Sequence, residues 1–290
     1  MMRKNFIFLS GLILLLICLK TEATVVSNPF INLYSYEKGK YRIYNGKGNL
    51  SFKTDDNQQL LYPGETTVSS VFVDGKHYFY GEETGRFVQK PQKQGQAIVS
   101  IWEVDQIQIK QTLSIVKNSE SMIQDTVLIS YEAVNTDTAD HQVGIRIMLD
   151  TLLGSNDGAA FKVPGFGNVL TEVMIFDKAI PNFWYCYDDF KNPKIISKGT
   201  LAEEDVVKPD RVVFGSWQKL KAIPWNFVER KGSSFSGDTA VALYYDPVKV
   251  EPGKNIKVST KYGVLGCKID IKGSISLMLN EKAIVKKPPF

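Results

Sequence analysis

The sequence predicts an all-β protein whose main unit is one large antiparallel β-sandwich. Apolar and polar residues alternate with a period of two along several segments, which is typical of strands with one buried face. Turn dipeptides recur between those segments at intervals of about 10–20 residues. No long stretch has helical periodicity, so the two patterns together favour a supersandwich-like pair of stacked sheets in a single domain.

The alternation is clearest in the middle of the chain. Residues 107–115 carry isoleucine or leucine at every second position but one, with polar residues between them. The run 97–104 precedes this segment, and the break at Asp105 predicts a hairpin. The same period recurs at 127–133 and 143–149, so we expect four consecutive strands here.

Turn chemistry and the end of the chain complete the predicted fold. Asp74-Gly75 separates two β-rich runs and supplies the positive φ angles that a two-residue hairpin needs. The best helical candidate, 181–190, is short, and its aromatic residues fit a strand as well. Residues 275–279 are predicted to add an edge strand before the Pro-Pro end of the chain.

The first 23 residues have the layout of a secretory signal peptide. Arg3 and Lys4 precede an almost unbroken apolar run at 6–19, and small residues lead to a cut after Ala23. That run is shorter than the roughly 20 residues of a membrane span, so the processed protein is expected outside the cytoplasm, periplasmic or secreted, without a transmembrane segment. The predicted organisation is a signal peptide at 1–23, the sandwich domain at 24–268, and an edge strand and tail at 269–290.

The three cysteines leave two questions open. Cys18 resembles the cysteine of a lipoprotein cleavage box, but the bulky Ile17 before it favours ordinary cleavage over a lipid anchor. Cys186 and Cys267 remain after processing, and an oxidising compartment would allow them to pair. Cys186 lies in an apolar aromatic run, so a buried free thiol is the other interpretation.

The charge of the chain argues against a nucleic-acid partner. The formal net charge of +4 falls to +2 once the leader, with three basic residues and one acid, is removed. The remaining lysines are scattered rather than gathered in one basic patch. No phosphate-binding loop, zinc spacing or cofactor motif is present, so no cofactor is expected.

The densest polar grouping spans 146–158. Arg146, Met148 and Asp150 share one face of the predicted strand, and the following loop offers Asn156 and Asp157. Oxygen ligands of this kind could hold Ca²⁺, although the spacing does not match an EF-hand loop. The alternative is a buried Arg–Asp pair followed by an ordinary Asn-Asp-Gly turn, so a metal ligand set stays undecided.

A group of aromatic residues lies downstream and predicts either core or a sugar-binding platform. Sugar rings stack on exposed aromatic faces while nearby acids bind their hydroxyls, and Asp188 and Asp189 are suitable neighbours. Trp225 is expected to be the most exposed aromatic residue, because it follows Pro224 in a predicted loop. The group comprises Phe183, Trp184, Tyr185, Tyr187, Phe190, Trp217, Trp225 and Phe227.

Acid–base catalysis has little support in the sequence. His77 and His141 are the only histidines, and both are expected to be solvated turn residues rather than bases. No serine lies in a nucleophile elbow. Acidic residues such as Glu172, Asp177 and Asp238 are available, but nothing in the sequence selects a catalytic pair. We therefore assign no catalytic residue.

Several motifs resemble a pattern found in uncharacterised exported bacterial proteins. They are the segment 143–151, the loop 156–158, the segment 237–245 and Pro252-Gly253. The fold of those proteins is similar to the galactose-mutarotase-like supersandwich of aldose epimerases and of accessory domains in carbohydrate-active enzymes. Over residues 30–265 the resemblance implies this fold and sugar binding. Mutarotases use histidines and a carboxylate for proton transfer, and neither histidine here has a comparable strand context.

These observations favour an exported, non-catalytic β-sandwich that binds carbohydrate or a cell-envelope polymer, with Arg146, Asp150, Asp157, Asp188 and Trp225 as candidate ligand-binding residues. The alternative is a structural or interaction subunit of an envelope, surface or appendage assembly, with protein partners. A carbohydrate-active enzyme is the third hypothesis.

Overall fold

A computed structural model describes most of the chain after the predicted leader. The described residues are 23–45, 58–62, 66–235, 237–265, 268–269, 275–279 and 282–285. The predicted leader up to residue 22, with Cys18, and also Cys267 lie outside the described residues. The predictions of cleavage, lipidation and a disulfide therefore remain predictions.

The described chain is composed almost entirely of strands. The helical elements are a single 3-10 turn at Asp177–Ala179 and one short helix, α1, at Trp217–Ala222. None of the described helices is long and apolar enough to cross a membrane. The strands are β1 Thr24–Ser27, β2 Ile31–Ser35, β3 Tyr41–Asn45, β4 Ser70–Val73, β5 Lys76–Phe79, β6 Arg86–Gln94, β7 Ala97–Val104, β8 Ile107–Val116, β9 Thr126–Asn135, β10 His141–Thr151, β11 Ala160–Val163, β12 Gly167–Val169, β13 Val173–Phe176, β14 Phe183–Tyr187, β15 Ile196–Thr200, β16 Arg211–Ser216, β17 Thr239–Val250, β18 Asn255–Val264, β19 Lys268–Ile269, β20 Ile275–Leu279 and β21 Lys282–Val285.

Two large antiparallel sheets form the body of the protein, which confirms the predicted fold class. One sheet has six strands in the order β13-β16-β17-β10-β4-β5. The other has nine strands in the order β12-β11-β14-β15-β18-β9-β8-β7-β6. Strands β1 to β3 form a separate three-stranded sheet.

The predicted alternation places the expected residues in the core. Ile107, Ile109, Leu113 and Ile115 of β8 are all buried. The Asp74-Gly75 hairpin also forms as predicted, with φ of 46° and 88° at its two central residues. Local patterning and turn chemistry therefore agree with the observed sheets.

The inner faces of the two large sheets meet in one extended hydrophobic core. Aromatic rings are prominent in it: Trp184 stacks on Tyr262 at 5.5 Å between centroids, and Phe161 contacts Phe214 at 5.1 Å. Cys186 lies in this core as a buried free thiol among the described residues, and burial raises its pKa.

The outer face of the six-stranded sheet is also covered, by α1 and the chain that follows it. Met148 of β10 and Tyr244 of β17 pack there against Leu220 of α1 and against Phe227. We call this surface the helix-covered face. The sequence did not predict α1, while the candidate helix at 181–190 is occupied by strand β14.

The end of the chain contains the strand predicted at 275–279, which is β20. It does not extend a large sheet in the part of the chain that is described. It pairs instead with β19 and β21 in a three-stranded sheet.

Candidate functional sites: a carboxylate cluster and an aromatic row

Three aspartates converge at one end of the six-stranded sheet. Asp150 lies near the end of β10, Asp157 lies in the loop after that strand, and Asp238 directly precedes β17. One carboxylate oxygen from each residue lies within 4.8 Å of the other two. The structure thus brings together two of the predicted site residues, Asp150 and Asp157, and adds Asp238. We call this group the carboxylate cluster.

The pairing of β10 with β17 explains why these side chains meet. The strands are antiparallel and Thr151 is paired with Thr239, so the end of β10 lies beside the start of β17. The Thr239 backbone N–H donates to the Asp157 carbonyl oxygen at 2.9 Å, which ties the loop to β17.

Two glycines allow the loops to come this close. A Cβ placed on Gly158 would lie 3.1 Å from the Cα of Gly237, closer than most real Cβ contacts. Gly237 also has φ of +78°, which other residues rarely adopt. Both positions therefore require glycine if Asp157 and Asp238 are to face each other.

Burial makes all three carboxyl groups harder to ionise, and repulsion from neighbouring aspartates adds to this at Asp150 and Asp238. Asp150 is only 2% exposed, and burial raises its pKa to about 7. The Thr66 hydroxyl opposes this shift, while the charges of Asp238 and Asp157 add to it. Burial and Asp157 raise the pKa of Asp238 to about 6. Burial raises the pKa of Asp157 as well.

The cluster also contains polar atoms that lack partners. Oδ1 of Asp150 and Oδ1 of Asp157 are buried and accept no hydrogen bond from the described residues. The Thr66 hydroxyl is also buried; it lies close enough to Asp150 to lower the pKa of that carboxyl group, but it makes no hydrogen bond of regular geometry with the described residues. None of the three aspartates has a lysine or arginine within ion-pair distance among the described residues. Buried polar atoms without a hydrogen-bond partner are rare in folded proteins.

Arg146, the third predicted residue on β10, is fully buried on the helix-covered face. One of its guanidinium nitrogens donates to the Leu220 carbonyl oxygen at 2.8 Å, which fastens α1 to the sheet. Its Nε and its second terminal nitrogen have no acceptor among the described residues. Burial lowers the pKa of Arg146. Its location indicates that it holds α1 in place rather than reaching a ligand.

Trp225 does not have the exposure that the sequence predicts. The residue is only 8% exposed. Its ring lies 5.1 Å from that of Phe72 and 5.8 Å from that of Tyr244, measured between centroids. The expectation failed because the loop after Pro224 folds back onto the helix-covered face, where the indole gains apolar contacts.

Strand β14 carries the aromatic residues that the sequence singled out. Phe183, Tyr185 and Tyr187 alternate with Trp184 and Cys186 of the main core, so they lie on the other side of the strand. Tyr185 and Tyr187 are buried there in a small separate hydrophobic cluster, while Phe183 is partly exposed. The ring centroids of Phe183 and Tyr185 are 5.1 Å apart, and those of Tyr185 and Tyr187 are 6.4 Å apart.

Phe190 extends this series, with its centroid 5.0 Å from that of Tyr187. We call the four rings of Phe183, Tyr185, Tyr187 and Phe190 the aromatic row. It lies on the outer face of the nine-stranded sheet, which we call the aromatic face.

A cavity lies near each end of β14. The first, of about 350 Å³, is lined by Phe183, Tyr185, Lys162 and the turn between β11 and β12. The second, of about 410 Å³, is largely polar. Its lining residues are Gln58, Leu153, Gly154, Ser155, Asn156, Asp188, Asp189, Asn192, Lys194 and Ile195.

Asp188 and Asp189 shape the polar cavity through backbone hydrogen bonds. Oδ1 of Asp188 accepts from the N–H groups of Lys194 and Ile195 at 2.9 and 3.2 Å. Oδ1 of Asp189 accepts from the N–H of Lys191 at 2.7 Å, which lowers the pKa of Asp189. Asp188 thus lines a cavity as predicted, but it also holds the loop that forms the wall.

The two histidines differ in their surroundings. His77 is exposed, as predicted for a turn residue. His141 is not a solvated residue as predicted, because its side chain is only 13% exposed and bridges two acids. Its Nδ1 lies 2.6 Å from Asp74 and its Nε2 lies 3.1 Å from Asp137, and these contacts raise its pKa, that with Asp74 most.

Comparison with solved structures identifies the fold. The chain is similar to a galactose mutarotase related enzyme from Lactobacillus acidophilus, with a TM-score of 0.50 and 8% identity over 84% of this chain and 97% of that one. It is also similar to a GalM/aldose epimerase homologue from C. elegans, with a TM-score of 0.50 and 11% identity over 84% and 99%. No protein-family model matches the chain, and neither does any curated protein. The protein therefore has the galactose-mutarotase-like β-sandwich, and identities this low establish the fold alone.

Proposed function

We propose that the protein is an exported carbohydrate-binding sandwich that binds an oligosaccharide or envelope polymer along the aromatic row, without catalysing its conversion. The observation that carries this proposal is the cavity of about 350 Å³ that Phe183 and Tyr185 line. Aromatic faces in a concave site suit the C–H surfaces of sugar rings. The neighbouring Lys162 supplies a hydrogen-bond donor for sugar hydroxyls.

The two cavities support a chain-like ligand, because they lie near opposite ends of β14. Phe183 and Tyr187, toward the two ends of this strand, are four residues apart, which corresponds to about 13 Å. The polar cavity near the far end offers amide and carboxylate groups, including those of Asn156 and Asp188. This combination of stacking surface and polar groups suits several linked sugar units better than one ring.

A binding role without proton transfer is supported by the histidines. His141 is held between Asp74 and Asp137 at the β4–β5 turn, which gives it a structural task. Export is supported by the leader sequence. Mass spectrometry of the protein from its native host should find an N-terminus near Thr24, and a retained Met1 or a lipid on Cys18 would contradict export with ordinary cleavage.

The carbohydrate proposal is tested by a glycan array followed by titration calorimetry with the best ligand. We expect Phe183→Ala to weaken binding at least tenfold, because a stacked ring contributes about 1–3 kcal/mol of apolar contact. Phe176→Ala is the matched control, since Phe176 is an exposed phenylalanine of β13 in the other sheet. An array without any bound glycan, or equal losses in both variants, would overturn the proposal.

A further inference from the structure

We propose that the carboxylate cluster is a binding site for a divalent cation, and that Ca²⁺ is the cation it fits. This site goes beyond the proposed carbohydrate binding, whose aromatic row lies on the other sheet, although Asn156 of the polar cavity directly precedes Asp157. The cluster offers one oxygen from each of Asp150, Asp157 and Asp238 within a span of 4.8 Å. Hard oxygen ligands of this kind are those that Ca²⁺ and Mg²⁺ take in proteins.

Unpartnered atoms provide the second, independent argument. Asp150 is 98% buried, and its Oδ1 receives no hydrogen bond from the described residues. A buried carboxylate oxygen without a donor is costly, since the group loses its hydration and gains nothing in exchange. The buried Oδ1 of Asp157 is in the same situation. A bound cation would give both carboxylate oxygens a partner.

The ligand set favours Ca²⁺ over Mg²⁺. Three protein carboxylates converge within 4.8 Å of one another. Ca²⁺ takes several carboxylate oxygens in flexible geometry, whereas Mg²⁺ keeps several waters and is usually held by only one or two carboxylates.

The charges around the cluster agree with this assignment. The cluster has three carboxylates, and Lys221 is the cationic side chain whose charge lowers the pKa of Asp150, so negative charge is in excess there. The Lys221 ammonium lies instead 4.7 Å from the centroid of the Trp217 ring. A divalent cation would neutralise most of the remaining negative charge, and the partly exposed Asp157 and Asp238 leave it a route from solvent.

The experiment uses the purified full protein, freed of metals with a chelator and then given CaCl₂, MgCl₂ or TbCl₃. Calcium at millimolar concentration should raise the melting temperature by several degrees, because an ion that binds only the folded state stabilises it. Magnesium should give less than half that rise. Terbium should luminesce on tryptophan excitation, since the Trp217 indole donates to the Thr66 carbonyl oxygen at 3.2 Å, next to the cluster.

Two variants locate the effect. Asp157→Asn should abolish most of the calcium-dependent rise in melting temperature and most of the terbium signal. Asp238→Asn should do the same, and it replaces Asp157→Asn if that variant proves poorly soluble. Asp140→Asn is the matched control, because Asp140 is a surface residue paired with Lys249 at 2.7 Å, away from the cluster. The absence of a calcium effect on the wild type, an equal effect in Asp157→Asn and Asp140→Asn, or an equal effect of magnesium would each overturn the assignment.

Discussion

Two groups of buried charged residues differ in whether the protein itself neutralises them: two lysines on the aromatic face, and Arg146 with Asp150 on strand β10. On the aromatic face, Lys198 and Lys261 are less than a tenth exposed, and both are paired with acids. Lys261 binds Glu203 and Asp205, each at 2.5 Å, and Lys198 binds Glu120. These contacts supply the compensation that a buried charge requires.

Beside the helix-covered face, buried Glu172 is likewise paired with Lys219 of α1, but Arg146 and the carboxylate cluster lack such a partner. Arg146 and Asp150 are both buried on this side of β10, yet neither has an oppositely charged partner within ion-pair distance in the described chain. They are four residues apart on one strand, about 13 Å, so they cannot pair with each other. The buried lysines are therefore neutralised within the protein, whereas Arg146 and the carboxylate cluster are not, which is the difference that the proposed cation accounts for at the cluster.

The largest effect is expected at Arg146. Arg146→Ala should lower the free energy of unfolding by about 3–5 kcal/mol, because it removes buried packing and the anchor of α1 at Leu220. Urea denaturation measures the change. Arg146→Met keeps the apolar stem without the charge, and it should recover at least half of the loss. An unchanged midpoint in Arg146→Ala would show that α1 is held by other contacts.

The cluster should make stability depend on pH. A carboxyl group with a higher pKa in the folded chain than in the unfolded chain holds more protons when folded, so stability falls as pH rises between those two values. With the pKa of Asp150 raised from 3.8 to about 7, the metal-free protein should lose stability between about pH 4 and pH 7. The loss should reach a few kcal/mol, at about 1.4 kcal/mol per pKa unit.

Comparison with Asp157→Asn isolates the contribution of the cluster to that loss. Burial also raises the pKa of Asp125 to about 6, so this residue adds to the loss of stability with rising pH. Its contribution is the same in the wild type and in Asp157→Asn and cancels when the two are compared. The variant should show a shallower fall because one repelling charge is gone. Parallel pH profiles for the two proteins would mean that the aspartates do not interact.

A smaller effect is expected on the aromatic face. Lys261→Met should cost about 1–2 kcal/mol, because it leaves Glu203 and Asp205 facing each other without their shared cation, although both retain access to water. High salt should reduce the cost by screening. A variant as stable as the wild type would remove the contrast between the two groups of buried charged residues.

The smallest effect is expected for the histidines. His77→Gln combined with His141→Gln should change stability by less than about 1 kcal/mol, since the His141 contacts are with partly exposed acids at a turn. Affinity for any glycan that the protein binds should be unchanged. Loss of an epimerase or hydrolase activity in this double variant would instead show that the protein is an enzyme.

The strands and part of the cluster follow from short-range patterns. Alternation identifies β7 to β10, and it also places Asp150 on the face opposite Leu149. Asp157 was recognisable because an Asn-Asp-Gly turn follows that strand. Both depend on neighbours in sequence, which is the information that a period-two pattern contains.

Features that depend on contacts distant in sequence could not be predicted. Asp238 joins the cluster only because β17 pairs with β10, and nothing local distinguishes it from other acids. The Gly237-Asp238 turn, directly before the apolar run at 239–245, was a local indication that Asp238 lies at the start of a strand. The sequence did not show that this strand pairs with β10. Trp225 was misplaced for the same reason, because its burial depends on Phe72 and Tyr244.

Anomalous diffraction from crystals soaked in calcium tests the central claim most directly. The account predicts a single strong peak at the cluster, about 2.3–2.6 Å from one oxygen each of Asp150, Asp157 and Asp238, with an oxygen of Thr66 or water completing the shell. A well-ordered cluster without a peak, with the Lys221 ammonium paired to Asp150 instead, would contradict it. In that case the protein itself would supply the compensating charge, as it does on the aromatic face.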